Sequence, residues 1–208
     1  MKRHIFILLL GGSLMLGSSV HAQSLDDLLQ SIGNIFNSSE SSEVKSEAPI
    51  THPDVYDLFG RWYYDNLTLE YKGDNPLMGA AISTLESQLP TIASKFGLTA
   101  GSDYMHVEDD GSLTFVQGEK SMSAMCTYYE ADSGTAYLQF YIDNKAISLE
   151  AIIVEQDGKT RILFDAIKMM ALLEKNYSKF SENTSLQVAK TILDKTSGIY
   201  VGVIIKRA

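Results

Sequence analysis

Asp57-Leu58-Phe59-Gly60-Arg61-Trp62-Tyr63-Tyr64 contains the only tryptophan of a 208-residue chain. Just before it, Asp54 is placed to cap a short helical turn over residues 55–59, because its carboxylate accepts from amides that a helix start leaves unpaired. Gly60 breaks that turn. Residues 61–71 then read as a strand, with Trp62, Tyr63, Tyr64, Leu67, Thr68 and Leu69 suited to a pleated surface. The rest of the chain reads as a sheet that closes around this strand.

Downstream, Lys72-Gly73-Asp74-Asn75 is a turn, and Pro76 stands at a helix start, where its missing N–H does no harm. Apolar residues at 77, 78, 81, 82, 85, 89, 92, 93 and 96 predict one or two helices, kinked or divided at Pro90 and ended by Gly97. From Tyr104 the pattern becomes strands: 104–108 and 112–117 flank Asp109-Asp110-Gly111, and 122–131 and 135–142 flank Asp132-Ser133-Gly134. Asp143-Asn144-Lys145 leads into 146–156, and Asp157-Gly158 into 159–164. Ile152-Ile153-Val154 is two-sided, which predicts cover on both faces. Asp165 caps a second helical region, with apolar stripes over 166–177 and 185–193, and Gly198 ends it. Residues 199–206 form a last strand.

The tally is about eight strands, and an open sheet of that size would leave two long edges as pairing hazards. Joining the last strand to the first removes both edges. The expected class is therefore mostly β with helical inserts: an eight-stranded, antiparallel up-and-down barrel, with helices after the first strand and before the last. Patterning alone leaves a two-sheet sandwich open.

The turn followed by Phe59-Gly60-Arg61-Trp62-Tyr63 resembles the N-terminal signature of the lipocalin and calycin superfamily. The overall plan is similar to lipocalin-like proteins (DUF4923 type) of Bacteroidetes. The resemblance spans residues 54–208. It implies a barrel base built from Gly60 and Trp62, with a basic residue of the last strand over the indole. Lys206 and Arg207 are the candidates; the planar guanidinium of Arg207 suits the ring face better. Two departures stand out: a long helical insert follows the first strand, and the usual late helix precedes the last strand.

At the N-terminus, Lys2 and Arg3 precede a short apolar run that ends in small residues at Ala22, a signal-peptide pattern over residues 1–22. The run is too short to span a bilayer. No cysteine lies near the cut, so export to the periplasm or the medium without a lipoprotein anchor is expected. Residues 23–53 read as a short amphipathic helix (apolar at 25, 28, 29, 32, 35 and 36) and a Ser/Glu-rich linker, and residues 54–208 as the barrel domain. The net charge of −9 becomes more negative once Lys2 and Arg3 are removed, which argues against nucleic acid as a partner.

The sequence offers little chemistry. No histidine pair has metal-ligand spacing, and no hydrolase or phosphate-loop motif occurs, so no enzyme, cofactor or metal is expected. His106 reads as a surface or rim residue. Glu108-Asp109-Asp110 reads as a turn before a loose calcium site, and Cys126, the single cysteine, as a small buried hydrophobe. Strand parity selects Met122, Cys126, Tyr128, Phe140 and Ile147 as candidate ligand-binding residues. It adds Leu149, Ile153, Ile162 and Phe164. Two functions compete. One is a binder of a small hydrophobic or amphipathic ligand. The other is an envelope interaction module with a filled barrel, docking through its helices or its tethered N-terminal helix.

Overall fold

The computed structural model describes residues 49–208, apart from 76, 77, 80, 81, 83–85, 87, 88, 96, 143, 144, 177–180, 182–186, 188, 189, 192 and 195. The expected signal peptide, amphipathic helix and Ser/Glu-rich linker up to residue 48 lie outside the described residues, as does most of the stripe at 185–193.

A 3-10 turn, Val55–Leu58, opens the fold, with Asp54 Oδ1 accepting from the Tyr56 amide at 3.1 Å. Eight strands follow: β1 (Gly60–Tyr71), β2 (Tyr104–Val107), β3 (Ser112–Gln117), β4 (Lys120–Glu130), β5 (Thr135–Ile142), β6 (Lys145–Gln156), β7 (Lys159–Asp165) and β8 (Ile199–Arg207). Each pairs antiparallel with its sequence neighbour, and β8 pairs with β1, so the sheet is a closed barrel. The sandwich alternative is excluded. Closure leaves no free first or last edge, the physical reason to expect it.

Local chemistry sets the connections. Gly60 takes φ +103, a conformation side chains disfavour, and so lets the 3-10 turn pivot into β1. Asp157 and Gly158 both have positive φ (53 and 70), the signature of a tight two-residue hairpin between β6 and β7.

The up-and-down order gives the barrel two distinct ends. One, the base, collects the 3-10 turn, the start of β1, the end of β8 and the β2–β3, β4–β5 and β6–β7 turns. The other, the mouth, collects both helical inserts. In the first insert Met78, Gly79, Ile82 and Glu86 are helical, and α1 (Leu89–Lys95) follows. Pro90 falls in the first turn of α1, so it starts a helix instead of kinking one. In the second insert α2 (Ala166–Asn176) is capped by Asp165, whose Oδ1 accepts from the Ile167 and Lys168 amides, both at 2.9 Å.

Inner-face residues such as Leu113, Phe115, Leu138, Phe140, Ile162 and Val203 form one core. Met169 of α2 and Ala93 of α1 pack onto that core from the mouth. Part of the outer wall is also covered: Val154, Leu163 and Ile204 point outward yet are only 1%, 0% and 7% exposed. The two-sided run Ile152-Ile153-Val154 thus has an apolar environment on both faces where Val154 stands.

Candidate functional site

The base is built from the opening stretch. Trp62 faces inward at 4% exposure, and its indole Nε1 donates to the Leu58 carbonyl at 2.8 Å. Trp62 stands opposite Arg207 in the β1–β8 ladder. The guanidinium carbon lies 5.7 Å from the ring centroid, and Nη2 donates to the Phe59 carbonyl at 3.5 Å. Lys206 faces the other way and pairs with Asp65 at 2.8 Å. Of the two basic candidates, Arg207 therefore covers the tryptophan. A strap completes the seal. Thr51 exchanges two backbone hydrogen bonds with Glu155 (3.0 and 2.8 Å), and His52 Nδ1 is 2.8 Å from the Ile153 carbonyl. The Tyr129 hydroxyl donates to the Pro53 carbonyl at 2.6 Å.

Above the base, described inner-face side chains pack into the lumen. Met122, Cys126, Phe140, Leu149, Ile153, Ile162 and Phe164 all belong to or pack against the central core. Ile147 is buried opposite Phe140, hence on the same face. Tyr128 is a correction. The β4–β5 register shifts between Cys126 and Tyr128, a bulge that flips the later residues. Tyr128 is therefore 53% exposed on the outer wall, and Tyr129 takes the inner position. Parity also passed over Tyr64, Met105, Phe115, Leu138, Val203 and Ile205. Their alternation in β1, β2, β3, β5 and β8 was the available signal.

Among the described residues, a cavity of about 40 Å³ lies here, lined in part by Trp62, Tyr64, Asp103, Met105, Phe115 and Leu138. A water needs roughly 10–15 Å³ by this kind of measure, so the space suits a water or two and no organic ligand. Among the described residues the buried Tyr64 hydroxyl has no hydrogen-bond partner within ordinary distance. Burial, opposed weakly by the Leu67 backbone, pushes the Tyr64 pKa up to about 12. Burial likewise pushes Tyr129 up to about 12.

The mouth half differs because the wall splits twice. β2 pairs with β1 only from Gly60 to Tyr63, so residues 64–71 of β1 lack a strand neighbour on that side. The 99–103 turn fills the start of this split: Tyr64 N donates to Asp103 O and Gly101 N to Tyr64 O, both at 2.8 Å. Above it α1 packs on β1, burying Leu89, Ala93 and Leu98.

The second split is not filled. β7 pairs with β6 only as far as Leu163↔Ile152, because the chain turns into α2 after Asp165. Residues 145–151 of β6 thus have β5 on one side and no strand on the other. α2 packs against β7 and β8. A hollow of about 220 Å³ remains between α2 and β6. Leu149 and Phe164 reach it from the inner face, and Tyr137, Ser148 and Glu150 from the outer face, which is possible only where the wall is interrupted. Asp165, Lys168, Met169 and Leu172 supply the remaining side. Lys168 Nζ bridges the opening to Glu150 Oε1 at 2.9 Å.

The other candidates have local roles. Asp110 Oδ1 accepts from the Ser112 amide at 2.8 Å, and hydrogen bonds from the Ser112 side chain and then this amide lower the Asp110 pKa. His106 pairs with Glu108 at 3.1 Å on the outer face. Cys126 is half-buried; burial raises its pKa, and its thiol donates to the Tyr128 carbonyl at 3.4 Å. Among the described residues, no three His, Cys, Asp or Glu side chains converge to hold a metal, and no helix is long and apolar enough to cross a membrane.

No curated protein gives a significant match to the chain. Among solved structures, insecticyanin from the tobacco hornworm Manduca sexta is similar at 12% identity and a TM-score of 0.33, over 80% of this chain and 70% of that one. Residues 32–207 match the lipocalin-like domain family DUF4923. With that match over most of its length, and a closed eight-stranded barrel, the chain belongs to the lipocalin-like domain family.

Proposed function

We propose that the protein is an exported, non-enzymatic binding protein that holds a small hydrophobic or amphipathic molecule in the mouth half of its barrel. The observation that carries this reading is the hollow of about 220 Å³ between β6 and α2, set against about 40 Å³ in the half near the base. Its walls join apolar groups (Leu149, Phe164, Met169) to polar ones (Ser148, Glu150, Lys168), the mixture that orients a small ligand. The family is lipocalin-like, and a closed barrel of eight strands is wide enough to fill itself or to hold one small ligand. The signal-peptide pattern at residues 1–22 supports export to the periplasm or the medium without a lipid anchor.

The alternative is an envelope interaction module with a filled barrel, and the tight packing near the base favours it. Docking through the helical inserts would need large apolar side chains exposed there. Among the described residues, the exposed large apolar side chains are Ile50, Val55, Tyr56, Tyr128 and Tyr137; the insert positions 77, 85, 92 and 173 lie outside the described side chains.

Native mass spectrometry of the protein purified from its own host separates the two. A small molecule retained in the gas phase is the expected result. The bare mature polypeptide in every charge state, together with a stoichiometric protein partner, would overturn the binding reading. The same spectrum reads the N-terminus, expected at Gln23.

A further inference from the structure

We propose that the break in the wall between β6 and α2 binds an amphipathic organic cation, an alkylammonium head on an apolar chain. This rests on the reading of the protein as a small-molecule binder and goes further by naming the site and the charge of its ligand. The apolar end is set by Leu149, Phe164, Met169 and Leu172. A volume of about 220 Å³ lies below the roughly 300 Å³ at which drug-sized pockets begin, so the hollow suits a single chain or ring. The chain can lie between α2 and β6 without breaking a ladder, because β6 has no strand partner there.

The head is selected by charge. Glu150 and Asp165 set two carboxylates against the one ammonium of Lys168, in a chain of net charge −9. Tyr137, 40% exposed, stands at the rim with its ring 5.9 Å from that of Tyr128, and these rings offer π faces to a cation. Lys168 itself shows what the rim accepts. Its ammonium sits 2.9 Å from Glu150 Oε1 at the end of a flexible apolar stem. The hydrogen bond that Lys168 donates to Glu150 is the main cause raising its pKa, and the charges of Glu150 and Asp165 add to it. The Lys168 side chain is 58% exposed, so the pair is screened by water and opens easily. A ligand ammonium takes the place of Lys168 on Glu150, and Lys168 turns out into solvent.

The test is calorimetric titration of the mature full chain at neutral pH and low ionic strength with decylamine, decanol and decanoate, which share one tail. Decylamine is expected to bind at least about tenfold more tightly than decanoate, the scale of one charge-assisted contact. Glu150→Gln is expected to remove most of that preference. Lys168→Ala, which removes the resident cation, is expected to tighten decylamine binding. Decanoate binding as tightly as decylamine would overturn the cation assignment while the protein remains a binder. Tight decylamine binding that Glu150→Gln and Lys168→Ala both leave unchanged would move the site elsewhere. No binding of any of the three overturns the site, and co-purification then decides separately whether the protein binds small molecules at all.

Discussion

The two ends of this barrel are closed by different means. At the base, closure is backbone-directed: Thr51 pairs with Glu155, the indole of Trp62 bonds the Leu58 carbonyl, and Arg207 reaches the Phe59 carbonyl. At the mouth, closure is by helices laid over the opening, one filling its split in the wall and the other leaving a hollow. Directional hydrogen bonds to backbone groups of the turn and the wall fix the base in one arrangement. A helix held by side-chain packing and exposed ion pairs leaves room to give way. On the proposed function, the base supplies stability and the mouth supplies the binding site.

The largest expected effect is at the base. Trp62→Ala should destabilise the fold by about 3–5 kcal/mol, the range for a buried aromatic. It should leave relative ligand affinities at the mouth unchanged. Chemical denaturation and calorimetric titration of the same variant read both. A change of ligand preference would break the division of labour.

Alkaline pH comes next. Tyr64 and Tyr129 are pushed from 10.0 to about 12, chiefly by burial, so the folded protein holds these protons more tightly than the unfolded chain does. Their contribution to stability is complete below about pH 10 and is lost as pH rises toward about 12. Unfolding midpoints measured across that window should fall, and Tyr64→Phe or Tyr129→Phe should flatten the decline. Identical slopes in wild type and both variants would show that other groups control it.

Smaller still is the pair on either side of the bulge. Tyr129→Phe loses the hydroxyl bond to the Pro53 carbonyl and should cost about 1 kcal/mol. Tyr128→Phe, on the exposed outer wall, should stay within about 0.5 kcal/mol. Equal costs would mean that the strand does not switch faces there.

The same bulge marks where the sequence stops being legible. Strand count, turn positions and the Asp54 and Asp165 caps follow from residue chemistry that acts locally, and the Trp62–Arg207 contact from the family resemblance. A bulge is one extra residue in an otherwise regular alternation, and Tyr128 and Tyr129 are the same residue type, so composition gives no sign of which one turns inward. The split between β6 and α2 is hidden for another reason. It depends on where β7 stops pairing, which Asp165 decides by capping a helix, and on α2 lying toward β8. Leu149 and Phe164 are visible as inner-face residues, whereas Lys168 and Glu150 meet only once the fold is made. Function was less legible than fold because the best motif, Gly60-Arg61-Trp62, builds the barrel base and so speaks for the fold and not for a ligand.

Hydrogen exchange of the mature protein, with and without saturating decylamine, tests the division between the ends most directly. Slower exchange confined to residues 145–151 and to α2, with the strands around Trp62 unchanged, is the predicted result. Protection centred on the Trp62 end, with none at β6 or α2, would contradict it.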